Sequence, residues 1–386
     1  MPQFQEIIDQ IQGMYGPKDF IPLHEPHFTG REREYVMQAI DSTFVSSVGE
    51  YVNTFEKQMA AAAGTQYAVA LVNGTAALHM ALLLAGVERN DLVISQALTF
   101  IATCNAISYI GAEPVFVDVD QDTMGMSPSA LLQWLDQHAV VKEDAEGVKR
   151  AYHVSSGRKL AAVVPMHTFG MPCRIDEIAA ICQLYCIPLI EDAAESVGSR
   201  YKNQPTGSFG LMGTFSLNGN KTITCGGGGA IVTNDEALAK LGKHLTTQAK
   251  VPHAWEFAHN AIGYNYRMPN LNAAMACAQL EQLESFVINK RNTAAEYAAF
   301  FDALPNIQFV KELEGAYANY WLNAILFTDK TERDAFLKRS NAMGVMTRPV
   351  WDLMNTLPMF RHCMTDHLSN SYELAERLVN IPSSVR

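Results

Sequence analysis

One lysine, Lys221, stands in the stretch GTFSLNGNKTITCGGGGAIVTND, from Gly213 to Asp235, between two short apolar runs. TFSL and GAIVT read as buried strands, so the lysine and the glycines Gly226 to Gly229 form the link between them. Lysine is rarely buried without a partner. Here it either points to solvent or serves as a nucleophile. Earlier in the chain, Asp192 ends the apolar run IPLIED, at the carboxyl end of a strand, where ligands of open α/β sheets bind. A lysine amine and an aspartate at strand ends are what pyridoxal 5′-phosphate (PLP) requires. The amine condenses with its aldehyde, and the carboxylate keeps its pyridine nitrogen protonated so that the ring accepts electrons. Taken alone, the two residues are equally an ion pair or two surface charges.

A phosphate needs its own cradle. VNGTAALHM reads as a strand end, the turn Asn73-Gly74-Thr75 and a helix start. Gly74 permits close backbone approach, the helix N-terminus offers free N–H groups, and Thr75 adds a hydroxyl. The same turn also fits an ordinary helix cap. Ser216, shortly before Lys221, is a further donor. Phe100, in SQALTFIATCNA, follows a strand and is placed to cover a flat ring or to fill the core. Two other nucleotide sites fail on their patterns. Gly219-Asn220-Lys221-Thr222 lacks the Gly-Lys-Ser/Thr order of a phosphate loop, and no GxGxxG follows the first strand.

These residues need a sheet to hold them. Strand-like runs YAVALV, LVIS, VFVDV, LAAVVPM and IPLIED alternate with helical stretches such as TAALHMALLLAG, TFIATCNAISYIG and IDEIAAICQLYC. The alternation predicts an α/β fold with a largely parallel sheet covered on both faces. The charge-free run from Ala68 to Val87 is long enough for a membrane span. However, Asn73-Gly74-Thr75 breaks it, and strand, turn and buried helix is the expected reading. Thr29 and Glu32 match a capping box before a helix. The polar segment HAVVKEDAEGVKRAYHVSSGRK reads as a surface insertion. Beyond Pro305 the pattern changes to a small α+β unit, which gives domains 1–290, with the N-terminal helical segment, and 291–386.

Bulk properties narrow the function. Over 386 residues the formal net charge is −11, with no long basic cluster, which argues against nucleic acid as a partner. The seven cysteines are scattered and odd in number, with no CxxC pair, so free thiols in a reducing cytoplasm are expected and no metal site. The N-terminus lacks an export signal, and no membrane association is expected.

In this order, NGTAAL, TFIAT, EDAAES, SLNGNKTITCGGGGAIVTND and GYNYRM resemble the sugar aminotransferases of the DegT/DnrJ/EryC1/StrS family, from about Ile21 to the C-terminus. The resemblance implies the aspartate aminotransferase-like PLP fold type I, with a mostly parallel seven-stranded sheet between helices and a small C-terminal α+β domain. It also implies a homodimer with shared active sites. By this likeness Lys221 carries PLP covalently and Asp192 pairs with the pyridine nitrogen. Glu195 lies close to cofactor and sugar, and Gly74, Thr75 and Ser216 bind the phosphate. Asn265 reaches the phosphate from the neighbouring subunit, and Phe100 stacks on the ring. Within the family, SLNGNK, TRPVW and STFVSSVGEYV are similar to enzymes that aminate C4 of UDP-4-keto-6-deoxy-N-acetylhexosamines for bacillosamine, legionaminic or pseudaminic acid. That likeness gives Thr43, Phe44, Val45, Ser46, Arg348 and Trp351 to the sugar nucleotide, and L-glutamate as the amino donor. Near Asn355 such relatives often carry a histidine that this chain lacks. His167, in VVPMHTFGMP, ends a strand as a candidate substrate contact or as a satisfied core histidine. Relatives with histidine in place of the lysine act as dehydratases, so Lys221 favours transamination over a dehydratase or lyase. A PLP-binding regulator of gene expression is the other alternative, and the chain shows no helix-turn-helix with a basic face.

Overall fold

Seven apolar runs build one sheet in the computed structural model, which describes residues 2–143 and 147–386. The strands are β1 (Tyr67–Leu71), β2 (Leu92–Gln96), β3 (Glu113–Val117), β4 (Leu160–Val164), β5 (Ile190–Asp192), β6 (Met212–Ser216) and β7 (Gly229–Thr233). Four pair in the order β1-β7-β6-β5 and three in the order β3-β2-β4. Parallel bridges Val163–Leu189 and Met166–Asp192 join the two groups through β4 and β5. Only β7 runs against its neighbours β1 and β6. This is the seven-stranded, mostly parallel sheet expected from the resemblance. Nearly every strand residue is buried, because helices cover both faces; that is why the strands read as continuous apolar runs rather than alternating ones.

The charge-free run at Ala68 divides as the sequence predicts, into β1 and the helix Gly74–Leu84. Asn73 caps that helix, its side chain accepting from the Ala76 N–H at 2.7 Å. Among the described residues no helix is long and apolar enough to cross a membrane. The polar segment forms a hairpin, Ala139–Glu143 against Lys149–His153; residues 144–146 of it lie outside the described residues.

A second sheet follows in the C-terminal part, antiparallel, in the order Gln308–Phe309, Asn323–Leu326, Leu378–Ile381, Arg348–Pro349. Three details differ from the sequence reading or add to it. The helix Leu283–Phe301 runs unbroken across residue 290. The N-terminal helix, Pro2–Tyr15, packs on the small unit rather than the large sheet: Phe4, Ile7, Ile8 and Ile11 join the core of Phe327 and Phe336, with the Phe4 ring 5.6 Å from Phe336. An amphipathic helix announces an apolar face but not the surface that buries it. The capping box also fails. Arg31, not Thr29, precedes the helix Glu32–Asp41, Thr29 donates to Gln282 at 3.0 Å, and the buried Glu32 accepts from Gln279 at 2.6 Å. Tertiary partners have taken both side chains.

Candidate active site

The strands β1, β2, β5 and β6 end along one edge of the sheet, and a cleft of about 310 Å³ opens there. It is lined by Asn73, Gly74, Thr75, Phe100, Asp192, Glu195, Ser216, Lys221, Trp321 and Trp351, among others. The lysine turn is shaped by the strands it links. Leu217 N–H donates to the Gly228 carbonyl at 2.8 Å, closing the loop, and Lys221 N–H donates to the Asn218 carbonyl at 3.0 Å. The glycines beside it serve different ends. Gly226 has φ +81°, which favours glycine. At Gly229 a Cβ would lie 2.4 Å from the Asn73 carbonyl oxygen and 2.8 Å from the Gly74 nitrogen. The turn after β1 is therefore pressed directly against β7, which fixes the helix N-terminus beside the lysine loop.

Two buried carboxyl groups face one lysine. The Lys221 Nζ lies 3.4 Å from Glu195 Oε1 and 3.8 Å from the centroid of the Trp321 ring. Glu195 Oε2 accepts from the Phe169 N–H at 2.8 Å. Burial pushes the Glu195 carboxyl up to about 7, against the pull of Lys221 and the Phe169 N–H. Asp192 Oδ2 accepts from the Thr103 hydroxyl at 2.7 Å, and Oδ1 from the Ala194 N–H at 3.2 Å. Burial also raises Asp192, partly offset by these donors and by Lys221. Lys221 thus stands near two buried acids, and a further cation placed at Asp192 would be held strongly.

This donor set fits PLP. A protonated ring nitrogen would supply a cation to Asp192, the Lys221 amine stands within the same cleft, and the capped helix start at Gly74–Thr75 together with Ser216 would offer donors to a phosphate. Gly74 has no room for a side chain: its Cβ would meet Ser216 Cβ at 2.8 Å and Oγ at 3.2 Å. Gly74→Ala is therefore expected to push the phosphate turn away from Ser216 and weaken PLP binding by about tenfold, within the ~1–3 kcal/mol that overpacking costs. Titration of the apoenzyme with PLP, followed by visible absorbance, measures it; unchanged affinity would remove this turn from the cofactor site.

The remaining candidates divide between the cleft wall and other places. Trp351 joins the cleft wall, its ring 5.9 Å from Phe100 and 5.3 Å from Phe169. His167 does not line the cleft. It is wholly buried, its Nε2 is 3.0 Å from Glu191 Oε2, and its Nδ1 accepts the Cys173 N–H at 3.3 Å. Its backbone follows β4, but its side chain turns into the core, so it is the satisfied core histidine of the two readings. Thr43 to Ser46 are exposed and tied to Asn270, whose side chain donates to the Phe44 carbonyl at 2.7 Å; Asn265 and Arg348 are exposed as well. None of these lines the cleft of its own chain.

Sequence reading missed Trp321 and Asn319. Their only signal is polar and aromatic residues in the apolar run YANYWLNAILF. It also missed a grouping apart from the cleft, where Glu113, His362 and Cys363 bring ligand-type atoms within 4.8 Å of one another. Arg158 already occupies Glu113 there, at 3.2 Å. The cysteines are all free, and all but Cys186 are buried.

Comparison with known proteins finds a family and several relatives. Residues 26–386 match the model of the DegT/DnrJ/EryC1/StrS aminotransferase family. GDP-perosamine synthase of Escherichia coli O157:H7 is 38% identical over 364 residues, covering 94% of this chain and 93% of that protein. EpsN of Bacillus subtilis (strain 168), provisionally named a pyridoxal phosphate-dependent aminotransferase, is 38% identical over 340 residues, covering 88% of this chain and 84% of that protein. Among solved structures, DesI in the presence of its TDP-sugar product is 26% identical, with a TM-score of 0.81 over 97% of this chain and 91% of that one.

Proposed function

The chain belongs to the DegT/DnrJ/EryC1/StrS aminotransferase family, and from that premise we propose that it moves an amino group from L-glutamate to the C4 ketone of a nucleotide-linked 4-keto-6-deoxy sugar. The product is a 4-amino-4,6-dideoxy sugar nucleotide. It is a PLP-dependent aminotransferase; the proposal concerns its substrates and the roles of its residues. The observation that carries those roles is the Lys221 amine beside Glu195 in a cleft that Asp192 and the Gly74 turn also line.

When bound, PLP supplies an electrophilic aldehyde carbon and an electron-accepting ring. The chain supplies the rest. Lys221 would tether the cofactor and, when its amine is free, would carry the donor's Cα proton on Nζ. In the second half reaction it returns a proton in the reverse sense, and the sugar receives the nitrogen. Asp192, fixed by Thr103 and the Ala194 N–H, holds the ring nitrogen protonated. Gly74, Thr75 and Ser216 hold the phosphate, and Phe100 covers the ring. Trp351, beside Phe100, forms the wall against the sugar.

Thr43 to Ser46, Asn265 and Arg348 act in a homodimer, serving the cleft of a second copy or the outer part of the substrate. The exposure of Phe44, at 57%, on a loop held to Asn270 supports a covering partner. For the sugar, the SLNGNK and TRPVW stretches favour UDP-4-keto-6-deoxy-GlcNAc. A GDP-linked ketone is the second reading, favoured by the relative named GDP-perosamine synthase.

Turnover of UDP-, dTDP- and GDP-linked 4-keto-6-deoxy sugars with L-glutamate, with product configuration assigned by NMR, tests the assignment. The UDP-linked N-acetyl ketone is expected to give the highest kcat/KM. A higher value for the GDP-linked ketone selects the second reading, and no amination at C4 of any of them overturns both. L-Glutamate alone is expected to bleach the visible band of the enzyme, and a ketosugar to restore it, which a lyase or a non-catalytic regulator would not do.

A further inference from the structure

We infer that Trp321 is a positioning residue whose indole face, together with Glu195, seats the Lys221 amine during the steps in which that amine is not bonded to the cofactor. The inference rests on the reading of Lys221 as the cofactor lysine and adds a residue to it. The Nζ lies 3.8 Å from the centre of the Trp321 ring, well inside the range of a cation–π contact, and 3.4 Å from Glu195 Oε1. A face of the indole and a carboxylate oxygen thus meet the same nitrogen.

The seat is built rather than incidental. Trp321 is buried, and each of its polar atoms is used. Its indole N–H donates to the Asn220 carbonyl at 2.6 Å, next to the lysine itself. Its backbone N–H donates to Asn319 Oδ1 at 2.8 Å, and its carbonyl accepts from the buried Lys290 at 3.2 Å. The Asn319 amide then donates to the Glu195 carbonyl oxygen at 2.9 Å and to the Thr222 hydroxyl at 3.3 Å. One wholly buried amide therefore ties together the aromatic wall, the acidic wall and the residue after Lys221.

Both walls are needed for physical reasons. A free lysine side chain has several rotors, and fixing it costs entropy that contacts must offset. Proton transfer in turn demands that the nitrogen stay within reach of the reacting carbon. Glu195 cannot hold the amine alone near neutrality. Its contact is long for a charged hydrogen bond, and burial raises its carboxyl, which weakens its hold on a cation. The negative face of the indole is permanent.

Trp321→Phe and Trp321→Leu separate this role from simple packing. Phe keeps an aromatic face and loses the indole N–H; Leu loses both. Trp321→Leu is expected to lower kcat about tenfold, with less than about twofold change in KM for L-glutamate, and Trp321→Phe to stay within about threefold of wild type. A second readout needs no turnover: the rate at which apoenzyme regains its visible band after PLP is added should fall by the same order, wild type above Phe above Leu. Thermal melts establish that each variant is folded. If Trp321→Leu does not fold, Trp321→Met, also without a π face, takes its place. Equal losses in Phe and Leu would overturn the inference in favour of the indole N–H, and so would wild-type rates in Leu. A wild-type apoenzyme that gains no visible band, or a Lys221→Ala variant that gains it, would bring down the reading of Lys221 itself.

Discussion

Lys221→Ala is expected to lower turnover by at least about 10⁴-fold, because it removes the nucleophile and the proton carrier together. Among the described residues, no other amine lines the cleft. The variant should also lack the visible band of the lysine-bound cofactor. It should nevertheless still bind PLP without a covalent bond, because the Gly74 turn, Ser216 and Asp192 are untouched. Its fold should survive as well. The side chain is 11% exposed, and Glu195, left without its cation, takes up a proton more readily instead of staying charged in a buried site. Small primary amines added to the variant should restore part of the proton transfer, since the missing group is an amine and the space it filled is open to the cleft. Steady-state rates with L-glutamate and a ketosugar, together with absorbance spectra, give the result. A variant that keeps a tenth of wild-type turnover ends the assignment of Lys221.

That Lys221 stood out in the sequence has a structural reason. It interrupts two fully buried strands, and polar residues at strand ends have few places to go except the edge of the sheet. The same holds for Asp192 and for Asn73-Gly74-Thr75, each directly after a strand whose apolar run marks its end. The seven strands were readable because a sheet covered on both faces leaves no polar positions inside a strand. His167 shows the limit of this argument. It too follows a strand, but whether a side chain at a strand end turns to the cleft or to the core depends on the local bend, and here Glu191 draws it inward.

Trp321 and Asn319 were hidden for another reason. They stand about a hundred residues after the lysine, in the small unit, and reach the cleft only because that unit packs against it. No local pattern encodes such a contact. The N-terminal helix is the same case: its apolar face is visible in the sequence, but the aromatic pocket of Phe327 and Phe336 that receives it is assembled from residues far along the chain. Thr43 to Ser46, Asn265 and Arg348 came from the family resemblance alone. Their exposure on one chain follows if a second chain completes the site.

Asp192→Asn is the counterpart of the lysine change, and its expected signature is the opposite one: the visible band stays and the rate goes. The two side chains have nearly the same shape, so the Thr103 hydroxyl at 2.7 Å keeps an oxygen to donate to and the tether at Lys221 is undisturbed. What would be lost is the negative charge proposed to hold a proton on the ring nitrogen. Without that proton the ring accepts electrons poorly, and abstraction of the donor's Cα proton slows. Removing one partner of a buried ion pair costs about 3–5 kcal/mol, so turnover is expected to fall by about 10³-fold with KM for L-glutamate little changed. The charge also has a cost to the protein itself. Burial raises the Asp192 carboxyl above its value in the unfolded chain, so the folded state binds more protons and stability falls as pH rises through that range. The neutral amide escapes this term. Cofactor-free Asp192→Asn is therefore expected to melt no lower than wild type at neutral pH, while the holoenzyme loses much of the stabilisation that PLP gives. Melting curves with and without PLP, beside single-turnover rates with L-glutamate, separate the two effects. A variant within tenfold of wild type in the glutamate half reaction would show that Asp192 does not hold the ring nitrogen.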